Sequence, residues 1–194
     1  MEDLPVWQVA RRKRIVDAAR EILATQPYEQ VQVRDVASAA GVALGTLYRY
    51  FTSKEHLYAV VLLDWAEPTI SHRANPDAAP EHRLDTKVRI VIKAFRARPE
   101  FFPLYRTLVS SDQPIVAELL QRYSEDGHRF LAEELEVLGD EAAEDIAHML
   151  WAVISHTVAA GAAGDRVVGR LLDIVVPMIK AARLEIEAER LSGA

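Results

Sequence analysis

Two short apolar-patterned stretches on either side of Gly41 constrain this chain more than any other feature. Residues 33–40 carry Val36, Ala37 and Ala40, and residues 43–51 carry Leu47 and Phe51. Helices of about two turns do not hold on their own. Their apolar faces therefore have to close on each other and on a third helix. Ala37 is small enough for two axes to approach closely at a steep angle, and Gly41 suits a turn that needs positive φ. The pattern predicts a helix-turn-helix. The third helix is legible in residues 9–25, where Ile15, Ala18, Ala19, Ile22 and Leu23 recur at i, i+3, i+4, i+7 and i+8. Pro27-Tyr28 ends it. Thr52 and Glu55 read as a capping box that opens a fourth helix near Ser53.

The rest of the chain is also helical in pattern, and alternating strand-like runs bounded by hairpin turns are absent. Residues 71–82, SHRANPDAAPEH, read as a loop. Helices are expected over 53–72, 83–98, 100–111, 114–138, 141–163 and 166–190. Pro177 should kink or shorten the last one. The fold class is all-α.

Composition removes several functions. The 194 residues contain no cysteine, which excludes disulfides, thiolate metal sites and cysteine nucleophiles. No apolar run reaches the ~18 residues of a membrane helix. The start, MEDLPVWQVARRKR, has acids first and no signal-peptide apolar core before its basic run, so a cytoplasmic protein without a signal peptide is expected. No nucleophile elbow, phosphate loop, dinucleotide fingerprint or zincin motif is present. Ser155 and His156 are adjacent, ~100° apart on a helix, and His148 and His156 lie two turns or ~12 Å apart. No catalytic residue, metal site or cofactor is expected.

The net charge of −6 is uneven. Residues 1–60 hold eight Lys/Arg against seven Asp/Glu, and residues 61–194 hold fifteen against twenty-two. Only the N-terminal end suits phosphates. There the second short helix presents Leu44, Gly45, Thr46, Tyr48, Arg49 and Tyr50, with no Lys or Glu among them. That mixture fits a major groove, which admits one helix. Gly45 and Thr46 permit close approach, and Leu44 and the Thr46 methyl suit thymine methyls. Arg49 suits guanine or phosphate, and tyrosine hydroxyls donate to phosphate. Lys54 opens the next helix, and Arg11-Arg12-Lys13-Arg14 can reach a neighbouring phosphate or the minor groove.

Residues 28–58, YEQVQVRDVASAAGVALGTLYRYFTSKEHLY, resemble the signature of the TetR family of transcriptional regulators, and the likeness extends over residues 9–60. Within that family, VQVRDVA…GVALGTLYRYF resembles actinobacterial regulators of sterol and lipid catabolism. The resemblance implies a helix-turn-helix DNA-binding domain over residues 1–52 and a helical ligand-binding and dimerisation domain over 53–194. It implies phosphate contacts at Ala43, Tyr48, Tyr50 and Lys54, and groove-facing positions at Leu44, Gly45, Thr46 and Arg49. Two positions depart from the pattern. Gln32 replaces the usual Ser or Thr cap of the second helix. Ala43 replaces a common Ser and removes one hydroxyl contact. The expected partners are a double-stranded DNA operator, a small apolar effector and a second copy of the chain, and the expected action is repression relieved by the effector. The alternative, a helical small-molecule sensor or adaptor without DNA binding, is opposed by the intact Tyr48, Tyr50 and Lys54.

The remaining two-thirds supply candidates for the effector cavity, which needs apolar and aromatic walls with a few polar anchors. These are Trp65, Phe102, Tyr105, Arg106, Tyr123 and Trp151, with His128, His148 and His156 as further polar anchors. Residues 146–163 are apolar nearly all round, and Ala159 to Gly164 are small. Val167, Val168, Leu171, Leu172, Val175, Met178 and Ile179 follow. Paired with their two-fold copies they would form a four-helix bundle, a homodimer through roughly 141–190.

Overall fold

The computed structural model describes residues 5–157 and 162–192, and every regular element among them is helical. The chain divides into two compact units, residues 1–67 with 98–122, and residues 68–97 with 123–194. Among the described residues the helices are α1 (Val6–Leu23), α2 (Val33–Ala39), α3 (Leu44–Tyr50), α4 (Lys54–Ile70), α5 (Pro80–Ala97), α6 (Phe101–Val109), α7 (Pro114–Ala132), α8 (Asp140–Thr157) and α9 (Ala162–Ser192).

The first unit is built on the three-helix arrangement that the sequence predicts. Ile15, Ala19, Val36, Leu47, Phe51, Leu57 and Tyr58 are fully buried in it. Gly41 adopts φ 64° and ends α2 in a Schellman motif: its N–H donates to the Ser38 carbonyl, and the Val42 N–H donates to the Ala37 carbonyl. Gln32 makes no side-chain cap to α2, as the departure from a Ser or Thr suggests. The Tyr58 hydroxyl donates to the Ala19 carbonyl at 3.1 Å, and its ring meets Tyr28 edge-on at 5.3 Å. The stacked rings of Trp65 and Phe101, 4.2 Å apart, belong to the same unit.

The capping box at α4 forms one residue later than T-x-x-E predicts. The Ser53 hydroxyl accepts the His56 N–H at 2.9 Å, and His56 Nδ1 accepts the Thr52 N–H at 3.2 Å. Because α4 starts at Lys54, the third helical position is His56 and not Glu55. Glu55 instead accepts from Gln113 Nε2 at 3.1 Å.

In the second unit, Leu84, Val88, Phe130, Leu131, Leu135, Ala147, Leu150, Ile154, Val168 and Ile179 form the core. Helix α5 begins at Pro80, three residues before the expected start, because proline is favoured at a first helical position. Helix α7 stops at Ala132, short of the expected 138. Lys87, almost fully buried, supplies the reason. Its ammonium donates to the Phe130 carbonyl at 2.6 Å and meets Glu133 and Glu134 at 2.7 and 2.9 Å. A cation thus caps the last turn of α7, where the helix dipole favours it. A short 3-10 turn, Glu136–Leu138, and Gly139 at φ 91° then reverse the chain.

Helix α9 continues through Pro177 rather than ending there. The missing hydrogen bond costs about 3 kcal/mol. Val175 and Ile179 on either side are buried, and that burial offsets it. The small residues Ala159, Ala160 and Gly161, and the stretch 158–161 of the expected helix 141–163, lie outside the described residues.

Candidate nucleic-acid interface

Leu47 decides which way α3 faces. It is fully buried, so the residues on the other side of the helix are turned to solvent. Ala43, Leu44, Gly45, Tyr48 and Arg49 are exposed, and Thr46 and Tyr50 are half-buried. Leu44 and Tyr48 keep 42% and 45% of their surface accessible and stand one turn apart on the outward side of α3. Nothing lies within 4 Å of where a Cβ on Gly45 would stand, so the backbone there is open to close approach. Seven of the eight predicted DNA-binding residues thus share α3 and its N-cap.

Lys54 stands at the first position of α4. Its ammonium donates to the Tyr28 carbonyl at 2.5 Å and lies 4.2 Å from the Tyr28 ring centre. Burial lowers its pKa from the ordinary lysine value, against an opposing pull from Glu55 and Glu29. One carbonyl uses one of three ammonium donors. The position is therefore fixed in space while it retains capacity for a phosphate oxygen.

The basic run at the start of α1 lies beside the end of α3. The Arg12 guanidinium is 5.3 Å from the Phe51 ring centre, Lys13 pairs with Asp17 at 3.1 Å, and Arg14 is exposed. Arg11 stacks on Trp7 at 4.9 Å, a contact that sequence reasoning missed although Trp7 and Arg11 sit at i, i+4 spacing. His56 was missed likewise, and the Ser53-x-x-His56 spacing was its signal. Burial, and then the charge of Arg12, hold the His56 pKa below the ordinary histidine value.

The six predicted effector residues divide between the units. In the first, Trp65, Phe102 and Tyr105 are half-buried and Arg106 is exposed. Burial raises the Tyr105 pKa. In the second, Tyr123 and Trp151 are buried with ring centres 5.3 Å apart. Trp151 Nε1 and, one turn on, Ser155 Oγ are buried polar atoms without a hydrogen-bond partner. Two clefts of the second unit, about 710 and 460 Å³, have other linings. The larger is walled by Arg83, Lys87, Phe130 and Glu134 among others, and the smaller by Ile92, Lys93, Val168 and Leu172 among others.

Helix α9 has two apolar faces. Val168, Leu172, Val175 and Ile179 are buried within their own unit, whereas Val167, Ile174 and Met178 are exposed. On α8, Met149 is exposed too. No helix of the described residues is long and apolar enough to cross a membrane.

Residues 15–61 match the family model described as bacterial regulatory proteins, tetR family. The HTH-type transcriptional repressor KstR of Rhodococcus jostii (strain RHA1) is 37% identical over 116 residues, which cover 59% of this chain and 55% of that protein. The repressor KstR of Mycobacterium tuberculosis (strain ATCC 25618 / H37Rv) is 41% identical over 95 residues, covering 47% and 43%. The chain thus spans about half the length of these curated relatives. A crystal structure of a TetR transcriptional regulator from Rhodococcus sp. RHA1 superposes with a TM-score of 0.68 at 21% identity, over 87% of this chain and 96% of that one. That likeness concerns the fold alone.

Proposed function

The chain carries a TetR-family N-terminal domain, and from that premise we propose that it is a ligand-responsive transcriptional repressor that binds operator DNA in the cytoplasm. The outward face of α3 is the observation that carries this reading. Leu44, Gly45, Thr46 and Arg49 enter the major groove, while Ala43, Tyr48, Tyr50 and Lys54 meet phosphates. The DNA-binding part comprises residues 1–52, and residues 53–194 serve ligand binding and dimerisation. Two copies place two α3 helices in successive grooves, ~34–36 Å or whole multiples apart. The exposed Val167, Ile174 and Met178 on α9 and Met149 on α8 favour a homodimer through roughly 141–190.

The effector is a small apolar molecule, and Tyr123 and Trp151 are its contacts in the second unit. The buried Trp151 Nε1 has no partner, and one acceptor atom on an otherwise apolar effector would satisfy it. Helix α4 carries the signal, since it begins at Lys54. Gln113 at the start of α7 bonds both Ser53 (2.6 Å) and Glu55 (3.1 Å) at that end of α4. The effector shifts DNA affinity only by binding the two states unequally.

Fluorescence anisotropy with DNA from the chain's own upstream region and a scrambled competitor tests the proposal. Selective binding of two protomers, or a multiple, per site is expected. Equal affinity for scrambled DNA across a salt series, and for fragments selected from the whole genome, would overturn it.

A further inference from the structure

Histidine in this chain is mostly scattered, but the fold brings two copies together. His128 on α7 and His148 on α8 lie twenty residues apart in sequence, and their ring centres are 4.5 Å apart with planes inclined by 51°. Within the single chain His148 is exposed and His128 half-buried. The sequence spacing of His148 and His156 spreads those two along one helix. The pair that matters comes from two helices and is invisible in any local spacing.

We propose that His128 and His148 form a chelating site for a borderline transition-metal cation of the Ni²⁺, Cu²⁺ or Zn²⁺ class. Metal–imidazole bonds of ~2.0–2.1 Å put each ring centre ~3 Å from the ion. Two imidazoles on one ion then stand ~4.2 Å apart at ~90° and ~5 Å apart at a tetrahedral angle. The observed 4.5 Å lies within that range, so one ion can bridge the two rings. The Ser124 hydroxyl lies 3.3 Å from His128 Nε2 and holds that ring in place, the role an outer partner plays at metal sites. No group of three or more His, Cys, Asp or Glu suited to a metal occurs among the described residues, so solvent completes the coordination. The sequence alone predicted no metal site, because it could not pair these two positions. Binding braces α7 against α8 within the second unit.

Isothermal titration of the full chain with Ni²⁺, with Mg²⁺ as the hard-cation control, tests this site. One ion per chain is expected, with Mg²⁺ silent. His128→Ala and His148→Ala should each weaken Ni²⁺ binding ~10–100-fold or more, while His156→Ala leaves it unchanged. Thermal melts provide an independent readout: Ni²⁺ should raise the melting temperature of the wild type and of His156→Ala, but of neither single variant. Equal Ni²⁺ affinity in the wild type and in the His128→Ala/His148→Ala double variant would overturn the proposal. So would a wild type that binds no Ni²⁺.

Discussion

Replacing Gly127 by alanine sets two physical effects against each other with opposite signs. Gly127 is in the interior of α7, where alanine is favoured by ~1 kcal/mol on helix propensity alone. A Cβ at that position would stand 2.3 Å from Trp151 Cε2 and Cζ2 and 2.6 Å from Cδ2. Carbon atoms rest at ~3.5–4.0 Å, so the indole has to retreat by more than ~1 Å. It has little room for this. Trp151 is 3% exposed, and the Tyr123 ring is centred 5.3 Å away. Forced repacking of a filled core costs ~1–3 kcal/mol. The clash therefore wins, and Gly127→Ala should lose ~1 kcal/mol net, or ~2–4 °C in melting temperature for a chain of this size. Gly169→Ala is the matched control. Gly169 is inside α9 with nothing within 4 Å of an added Cβ, so the propensity gain stands unopposed and the melting temperature should rise by ~2–4 °C. Far-ultraviolet circular dichroism melts measure both, and tryptophan emission should shift in Gly127→Ala only. If the two variants gain stability equally and the emission is unchanged, the packing of Trp151 against the α7 backbone is refuted.

Gly41→Ala meets no atom within 4 Å, so its whole effect is the left-handed φ of 64°. A loss of ~1–2 kcal/mol in urea denaturation is expected, and a neutral result would contradict the Schellman turn. Lys54→Ala should lower the slope of log affinity against log salt by ~1 on every DNA sequence, and an unchanged slope would remove Lys54 from the phosphate contacts. The folded state holds His56 neutral, since burial and Arg12 lower its pKa and its Nδ1 accepts the Thr52 N–H. The unfolded chain takes up that proton first as pH falls through ~6.5, so the cap's stability is complete above ~6.5 and declines on acidification through the lower folded value. His56→Gln, which can accept the same bond without titrating, should flatten the fall in urea midpoint between about pH 7 and pH 5. An identical fall in both proteins would place the pH dependence elsewhere.

Local patterning determined the three N-terminal helices, the turn at Gly41, the burial of Leu47 and the outward set on α3. Each depends on contacts within a few turns of chain, and the helical period records those directly. The tertiary structure decided what depends on residues distant in sequence. Lys87 reaches Phe130 and Glu134 and stops α7 before the point its pattern suggests. Ser53, not Thr52, caps α4, because the helix start is fixed by a core that includes Phe51 and Leu57. The expected dimer residues of α9 split into a buried and an exposed row, since α5 and α8 pack on one side of it. His128 meets His148, and Trp151 lies on Gly127, only once α7 and α8 are packed. A helical period states which residues share a face. It carries no record of which other helix covers that face, and the helix caps and buried charges answer to that second fact.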